Sequence, residues 1–219
     1  MTGLGVAQLG PSPPRTRGPM FLAFPFSPPM PDTALHPSVA EIAEQLEHAR
    51  DELMAAWAAI PPEDRERRPA PDAWTPAEIV DHLRVTEAGS ARLLARRLER
   101  AREAGLGTAP DVTSRLGGLR ADDLVAAAAR FEAPETVRPT PGARAEDAEA
   151  GLAASRVTLR ALVADASGSD LARVRAIHPR FGDLDMYQWL EFLAGHERRH
   201  ARQLARVRDA LAGQAAAGG

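Results

Sequence analysis

The stretch WLEFLAGHERRHARQLARVRDAL, residues 189–211, decides the fold class of this 219-residue chain. Apolar residues, with two histidines among them, recur in it at spacings of three or four, which is the period of an amphipathic helix. They are Trp189, Leu193, His196, His200, Leu204, Val207 and Leu211. The pattern predicts a helix over about 185–212. Two histidines occupy stripe positions where leucine is expected, and buried imidazoles cost free energy unless each ring finds a partner.

Three other segments predict long helices that pack against this one. An apolar stripe from Val39 to Ile60 predicts a first helix over 38–60. The sequence Thr75-Pro76-Ala77-Glu78 is a capping box, so a second helix starts at about 76 and runs to about 103. A third long helix is expected over 145–166, and a short one over 121–132. No segment alternates with a period of two. We therefore expect an all-α four-helix bundle with long crossover connections.

Composition sets the domain limits and excludes several classes. Residues 1–36 are rich in proline, which predicts a disordered tail before a bundle domain over 37–213. The chain has no cysteine, so disulfides, cysteine-based metal sites and a protein thiol nucleophile are excluded. A net charge of −3 argues against nucleic-acid binding. No apolar run approaches the ~18 residues of a membrane span. We expect a cytoplasmic protein.

The two stripe histidines predict a metal site. His196 and His200 are four residues apart, so on a helix they lie about 40° apart and both rings can reach one ion. The sequence between them also matches the H-E-x-x-H pattern of zinc proteases. Such a protease takes its third ligand downstream, where this chain offers only Asp209, on the same helix. A di-iron carboxylate site needs a second Glu-x-x-His motif, and none is found.

The third ligand must therefore come from upstream, and His82 is the best candidate. It lies beside Ile79 and Leu83 on the inward side of the second helix. His48 is a weaker candidate, and His178 is expected to orient its loop or to cap a helix end. The alternative interpretation is that the two histidines of the last helix are core residues that find their partners separately, or a partly solvated pair near the edge of the bundle, without a metal.

Neighbouring polar and aromatic residues have both a structural and a functional interpretation. We expect Gln203 to be a solvated helix residue, with the orientation of a ligand as the alternative. Glu197 is expected to form a surface ion pair with a nearby arginine. Trp74 and Trp189 are expected in the core. A solvated face is expected for the arginines of the last helix, which are Arg198, Arg199, Arg202 and Arg206. An arginine at a pocket rim would instead suit an anionic thiol.

Three motifs taken together resemble one known family. AWTPAEIVDHL (73–83), HPRFGDLDMYQWLEFL (178–193) and GHERRHARQL (195–204) are similar in order and spacing to the DinB-like superfamily, which includes YfiT-type metal-dependent hydrolases and bacillithiol transferases. The resemblance covers about 38–212. It implies a four-helix bundle in which one histidine of the second helix and two of the last hold a divalent metal. The matching positions here are His82, His196 and His200.

The resemblance also implies a function. Characterised members are often thiol S-transferases that join a low-molecular-weight thiol to an electrophile. We therefore expect a metal-dependent transferase with a small-molecule substrate. The alternatives are a metal-dependent hydrolase with the same site, or a bundle that binds metal or a small molecule without catalysis. Zn and Ni are the favoured ions, and Fe, Mn or Co would also suit three imidazoles. The family further implies a homodimer.

Overall fold

The computed structural model describes residues 34–110 and 133–217. Its four long helices are α1 (Pro37–Ala58), α2 (Pro76–Glu103), α3 (Ala145–Ala166) and α4 (Met186–Ala217). The expected all-α four-helix bundle is confirmed, and the helix boundaries lie within a few residues of those expected. Most of the Pro-rich tail and the short helix expected over 121–132 lie outside the described residues. Among the described helices, none combines the length and hydrophobicity that crossing a bilayer requires.

The capping box sets the start of α2. The Thr75 hydroxyl accepts a hydrogen bond from the Glu78 backbone N–H (3.1 Å), and the Glu78 carboxylate accepts one from the Thr75 N–H (2.9 Å). Both donors would otherwise be unsatisfied at the first turn of the helix. The helix start is therefore specified locally, and it sets the position of His82 six residues after Pro76.

A β-hairpin lies in the connection between α3 and α4, where no strand was expected. Strand β1 (Arg175–His178) pairs antiparallel with β2 (Gly182–Asp185), and Ala176 faces Leu184 in the register. The expectation failed because each strand has four residues, too few for an alternating pattern to be recognised. Gly182 has a φ of +74°, a left-handed conformation that glycine adopts without the penalty of a Cβ atom.

The bundle core consists of two apolar clusters. Helix α1 packs along α4, and α2 packs along α3. One cluster joins the N-terminal part of α1 to the hairpin and the first turns of α4, and it contains Met186 and Leu190. The other joins the C-terminal part of α1 to the later turns of α4, and it contains Trp57 and Leu204. Side chains of both clusters are almost fully buried.

A layer of buried charge lies between the two clusters along each helix. Arg50 Nη2 lies 2.6 Å from Glu197 Oε1 and 3.1 Å from Glu87 Oε2. Arg156 Nη2 lies 2.8 Å from Glu87 Oε2 and 2.9 Å from Glu197 Oε1. Each helix contributes one of these four side chains, and none is more than 8% exposed. Two arginines and two glutamates balance in charge, which offsets part of the cost of burying all four. We call these four residues the buried charge layer.

Candidate metal centre

The structure brings together the three histidines that the sequence analysis selected. His82 comes from α2, and His196 and His200 come from successive turns of α4. The Nε2 atom of His196 lies 3.2 Å from His82 Nε2 and 3.1 Å from His200 Nε2. His82 and His200 are buried, while His196 is partly exposed. All three nitrogens lie within 4.8 Å of one another, so the group could hold a metal ion.

Two of the three rings are oriented by a hydrogen bond from their other nitrogen. His82 Nδ1–H donates to the carbonyl oxygen of Val137 (2.6 Å), and His200 Nδ1–H donates to Gln203 Oε1 (2.8 Å). A carbonyl or amide oxygen can only accept, so the proton must be on Nδ1. Both Nε2 atoms therefore present a lone pair to the shared centre. This arrangement is typical of metal-binding histidines, whose outer nitrogen is held by an oxygen.

The donor set fits a divalent ion. Zn–N bonds of ~2.0–2.1 Å in tetrahedral geometry place the ligand nitrogens about 3.3 Å apart, close to the two separations seen here. Without a cation, the lone pairs of His82 and His200 both face His196 Nε2. That nitrogen carries at most one hydrogen, which cannot point at both neighbours. A shared cation would satisfy all three nitrogens.

All three imidazoles are neutral near pH 7, as metal binding requires. Burial lowers the pKa of His82 and outweighs the opposing effect of its bond to Val137. Burial, together with repulsion from charge on His200 and His82, holds the pKa of His196 well below 6.5. Burial, followed by repulsion from His82, lowers the pKa of His200 to about 3. Protons therefore compete little with a metal for these nitrogens at neutral pH.

The three rings line a cavity of about 1370 Å³. Aromatic side chains form part of its wall: Trp74 lies 5.0 Å from His82 between ring centroids, and Phe192 stacks on His196 at 5.3 Å. The hairpin contributes Phe181 to the same wall. Because the cavity reaches the protein surface beside exposed side chains, a small molecule can approach the histidines from solvent.

Other histidines lie elsewhere or have different roles. His48 is exposed on α1 and is absent from the cluster. His178 lines the cavity from the hairpin, and its Nδ1 accepts hydrogen bonds from the backbone N–H groups of Arg180 (3.1 Å) and Phe181 (3.3 Å). The prediction that His178 orients its loop is confirmed. Burial, with a contribution from Arg180, lowers the pKa of His178 to about 4.

Two expectations about α4 were wrong. Gln203 was expected to be a solvated residue, but its side chain holds His200, as the alternative interpretation proposed. Glu197 was expected in a surface ion pair, yet it is only 3% exposed and pairs with Arg50 and Arg156 from other helices. The reason is geometric, because Glu197 lies four residues after Leu193 and therefore faces the core.

Some of the arginine and tryptophan side chains near the histidines lie where they were expected, and others line the cavity. Arg198 pairs with Glu52 on α1, as a solvated residue would. Arg202 and Arg206 are exposed, as expected for a solvated face, and they also line the cavity together with the half-buried Arg199, as the alternative of a position at the pocket rim proposed. Trp189 is buried as expected, at 5% exposure, whereas Trp74 is half-buried beside His82.

Sequence reasoning did not identify the partners that support the site. Val137, which orients His82, lies in a connection and acts across 55 positions of sequence, so no local pattern indicates it. Arg50, Glu87 and Arg156 were also missed. A signal for them existed, since each lies three or four residues from core leucines of its own helix, as Arg50 does between Leu46 and Leu53.

Comparison with known proteins gives three matches. The family model of the DinB superfamily matches residues 45–204. The uncharacterised protein YuaE of Bacillus subtilis (strain 168) is 24% identical over 155 residues, which cover 68% of this chain and 86% of YuaE. A solved structure, that of the four-helix bundle protein TT2238, is 23% identical with a TM-score of 0.50, and it covers 76% of this chain and 97% of TT2238. The likeness to TT2238 concerns the fold alone.

Proposed function

The chain belongs to the DinB superfamily, and from that premise we propose that it is a metal-dependent thiol S-transferase. In this proposal His82, His196 and His200 hold one divalent ion, and a low-molecular-weight thiol and a small electrophile meet in the adjoining cavity. The observation that carries the proposal is the convergence of three neutral Nε2 atoms at a cavity that solvent reaches.

The residues supply binding and orientation. Val137 and Gln203 fix the tautomers of His82 and His200, so that the nitrogens are ready to bind without rearrangement. Three protein ligands leave coordination positions free, as catalytic sites do. A divalent ion bound there supplies Lewis acidity, which lowers the pKa of a coordinated thiol. Because the chain has no cysteine, the sulfur must come from a small molecule.

The cavity wall supports a reaction with an apolar or aromatic electrophile. Trp74, Phe181 and Phe192 present ring surfaces near the histidines, and such surfaces bind planar groups. A hydrolase would use the same histidines, and the experiment below separates the two activities.

The test is an activity assay on protein loaded separately with Zn, Ni, Fe, Mn and Co. Each preparation is mixed with a thiol panel and an aromatic electrophile such as chlorodinitrobenzene, and the conjugate is quantified. We expect conjugate formation that requires the metal, the thiol and His82. Hydrolysis that is independent of thiol would assign the alternative reaction. Saturable binding of a thiol without product under every metal would contradict an enzymatic role.

A further inference from the structure

The cavity at the three histidines concentrates positive charge. Among the described residues that line it there are six arginines but one acidic residue, Asp72. The chain as a whole has a net charge of −3, so this excess is opposite in sign to the overall balance. The neutral imidazoles do not alter it. The arginines are Arg92, Arg138, Arg180, Arg199, Arg202 and Arg206.

These arginines come from four separate segments of the chain. Arg92 is on α2, Arg138 follows the short turn Glu135–Val137, and Arg180 is in the hairpin loop. The other three follow one another along α4 at spacings of three and four, which places them on one side of that helix. A merely solvated helix face would account for those three alone. The convergence of four segments on one cavity indicates a binding function for the charge.

Several arginines outside the cavity form ion pairs, although others, such as Arg96 and Arg100 on α2, form none with the residues that the structure describes. Exposed arginines such as Arg102 and Arg175 each have an aspartate at 2.8 Å. Arg92, Arg202 and Arg206 also belong to the arginines that form no ion pair with another residue in the described parts of the chain. What distinguishes these three guanidinium groups is that they are unpaired and also line the cavity.

Guanidinium groups bind carboxylate and phosphate oxygens in pairs, which favours a ligand with matching planar or tetrahedral anions. We propose that the small molecule that occupies this cavity carries at least two carboxylate or phosphate groups, held by Arg202, Arg206 and their neighbours. Its uncharged part then lies against the aromatic wall and points to the histidines. This inference rests on the proposed function for the reaction that the bound molecule undergoes. The binding of the molecule does not depend on that function.

The test compares two probes that differ in charge but little in size, succinate and its diamide. Their dissociation constants are measured by titration calorimetry on metal-loaded protein at low and high ionic strength. The variant Arg202→Gln/Arg206→Gln removes two charges at the cavity. A matched control, Arg96→Gln/Arg100→Gln, removes two charges from exposed positions of α2 that do not line the cavity.

We expect succinate to bind roughly tenfold or more tightly than the diamide at low salt, and less so at high salt because ions screen exposed charges. The cavity variant should lose about three- to tenfold in succinate affinity while diamide binding and metal content stay unchanged. The control should resemble the wild type. Equal binding of both probes, or an equal loss in both variants, would overturn the inference.

The thiol assay run on the same preparations separates this inference from the proposed function. Selective succinate binding without any thiol-dependent product would sustain the anion site and reject the transferase. Thiol-dependent product with equal binding of the two probes would sustain the transferase and reject the anion site.

Discussion

Glu197 Oε1 lies 2.6 Å from Arg50 Nη2, and this contact joins α4 to α1 one residue after a metal-ligand candidate, His196. Arg156 from α3 reaches the same oxygen at 2.9 Å. Two guanidinium groups therefore share one carboxylate oxygen, and Glu87 balances their second charge. The relationship couples the rotation of α4, and with it the direction of His196 and His200, to the other three helices.

We predict that Glu197→Gln lowers the free energy of unfolding by about 3 kcal/mol or more. Glutamine preserves the shape, but it leaves Arg50 and Arg156 with Glu87 as the one carboxylate they share, and with only a longer contact of 3.6 Å from Arg156 to the half-buried Glu47 in addition. Equilibrium urea unfolding measures the change. The control is Glu52→Gln, which removes a carboxylate that is 55% exposed and pairs with Arg198 at the surface, and it should cost less than about 1 kcal/mol. Equal losses in the two variants would show that burial of the layer contributes nothing.

We predict that Gln203→Leu lowers metal affinity by about 10- to 100-fold with little loss of stability. The substitution removes the oxygen that holds the Nδ1 proton of His200, so the ring can rotate or change tautomer. Competition with a chelating dye measures the affinity. Gln214→Leu, at an exposed position of α4 that does not line the cavity, serves as the control. Unchanged affinity in Gln203→Leu would mean that this hydrogen bond has no part in ligand orientation.

We predict that His178→Ala destabilises the hairpin loop and that His178→Asn does not. Asparagine places an oxygen near the position of Nδ1, so His178→Asn should keep the bonds from the Arg180 and Phe181 N–H groups. His178→Ala removes the acceptor and should destabilise the loop by about 1 kcal/mol per hydrogen bond. Amide hydrogen exchange reports this directly, with faster exchange of those two amides in the alanine variant. Identical exchange rates in both variants would contradict the role given to Nδ1.

We predict that the metal-free protein loses stability as the pH falls from 6.5 towards 3. The unfolded chain protonates its histidines near 6.5, whereas the folded-state pKa of His200 is about 3, so the unfolded state binds more protons in this window. Stability therefore rises with pH there. His200→Gln lacks this contribution. Between pH 7 and 4 the free energy of unfolding of the wild type should therefore fall by more than that of the variant, by on the order of 1 kcal/mol or more. Parallel pH profiles of the two proteins would contradict the lowered pKa.

The sequence was sufficient for the helices because their signals are local. The capping box at Thr75 and the apolar stripes act over a few residues, and they also placed His82, His196 and His200 on inward faces. The hairpin was missed because four-residue strands carry too little pattern. The buried charge layer was missed because a charged residue is assigned to the surface by default. Its pairs join residues as far apart as Arg50 and Glu197, which no local pattern connects.

We expect His82 and the α4 pair to form one metal site across two helices. The most direct test is elemental mass spectrometry on wild type, His82→Ala and the control His48→Ala, an exposed histidine outside the cluster, all loaded identically with Zn or Ni. We predict about one ion per chain in wild type and in His48→Ala, and almost none in His82→Ala. Metal-free wild-type protein, or equal metal in wild type and His82→Ala, would contradict it.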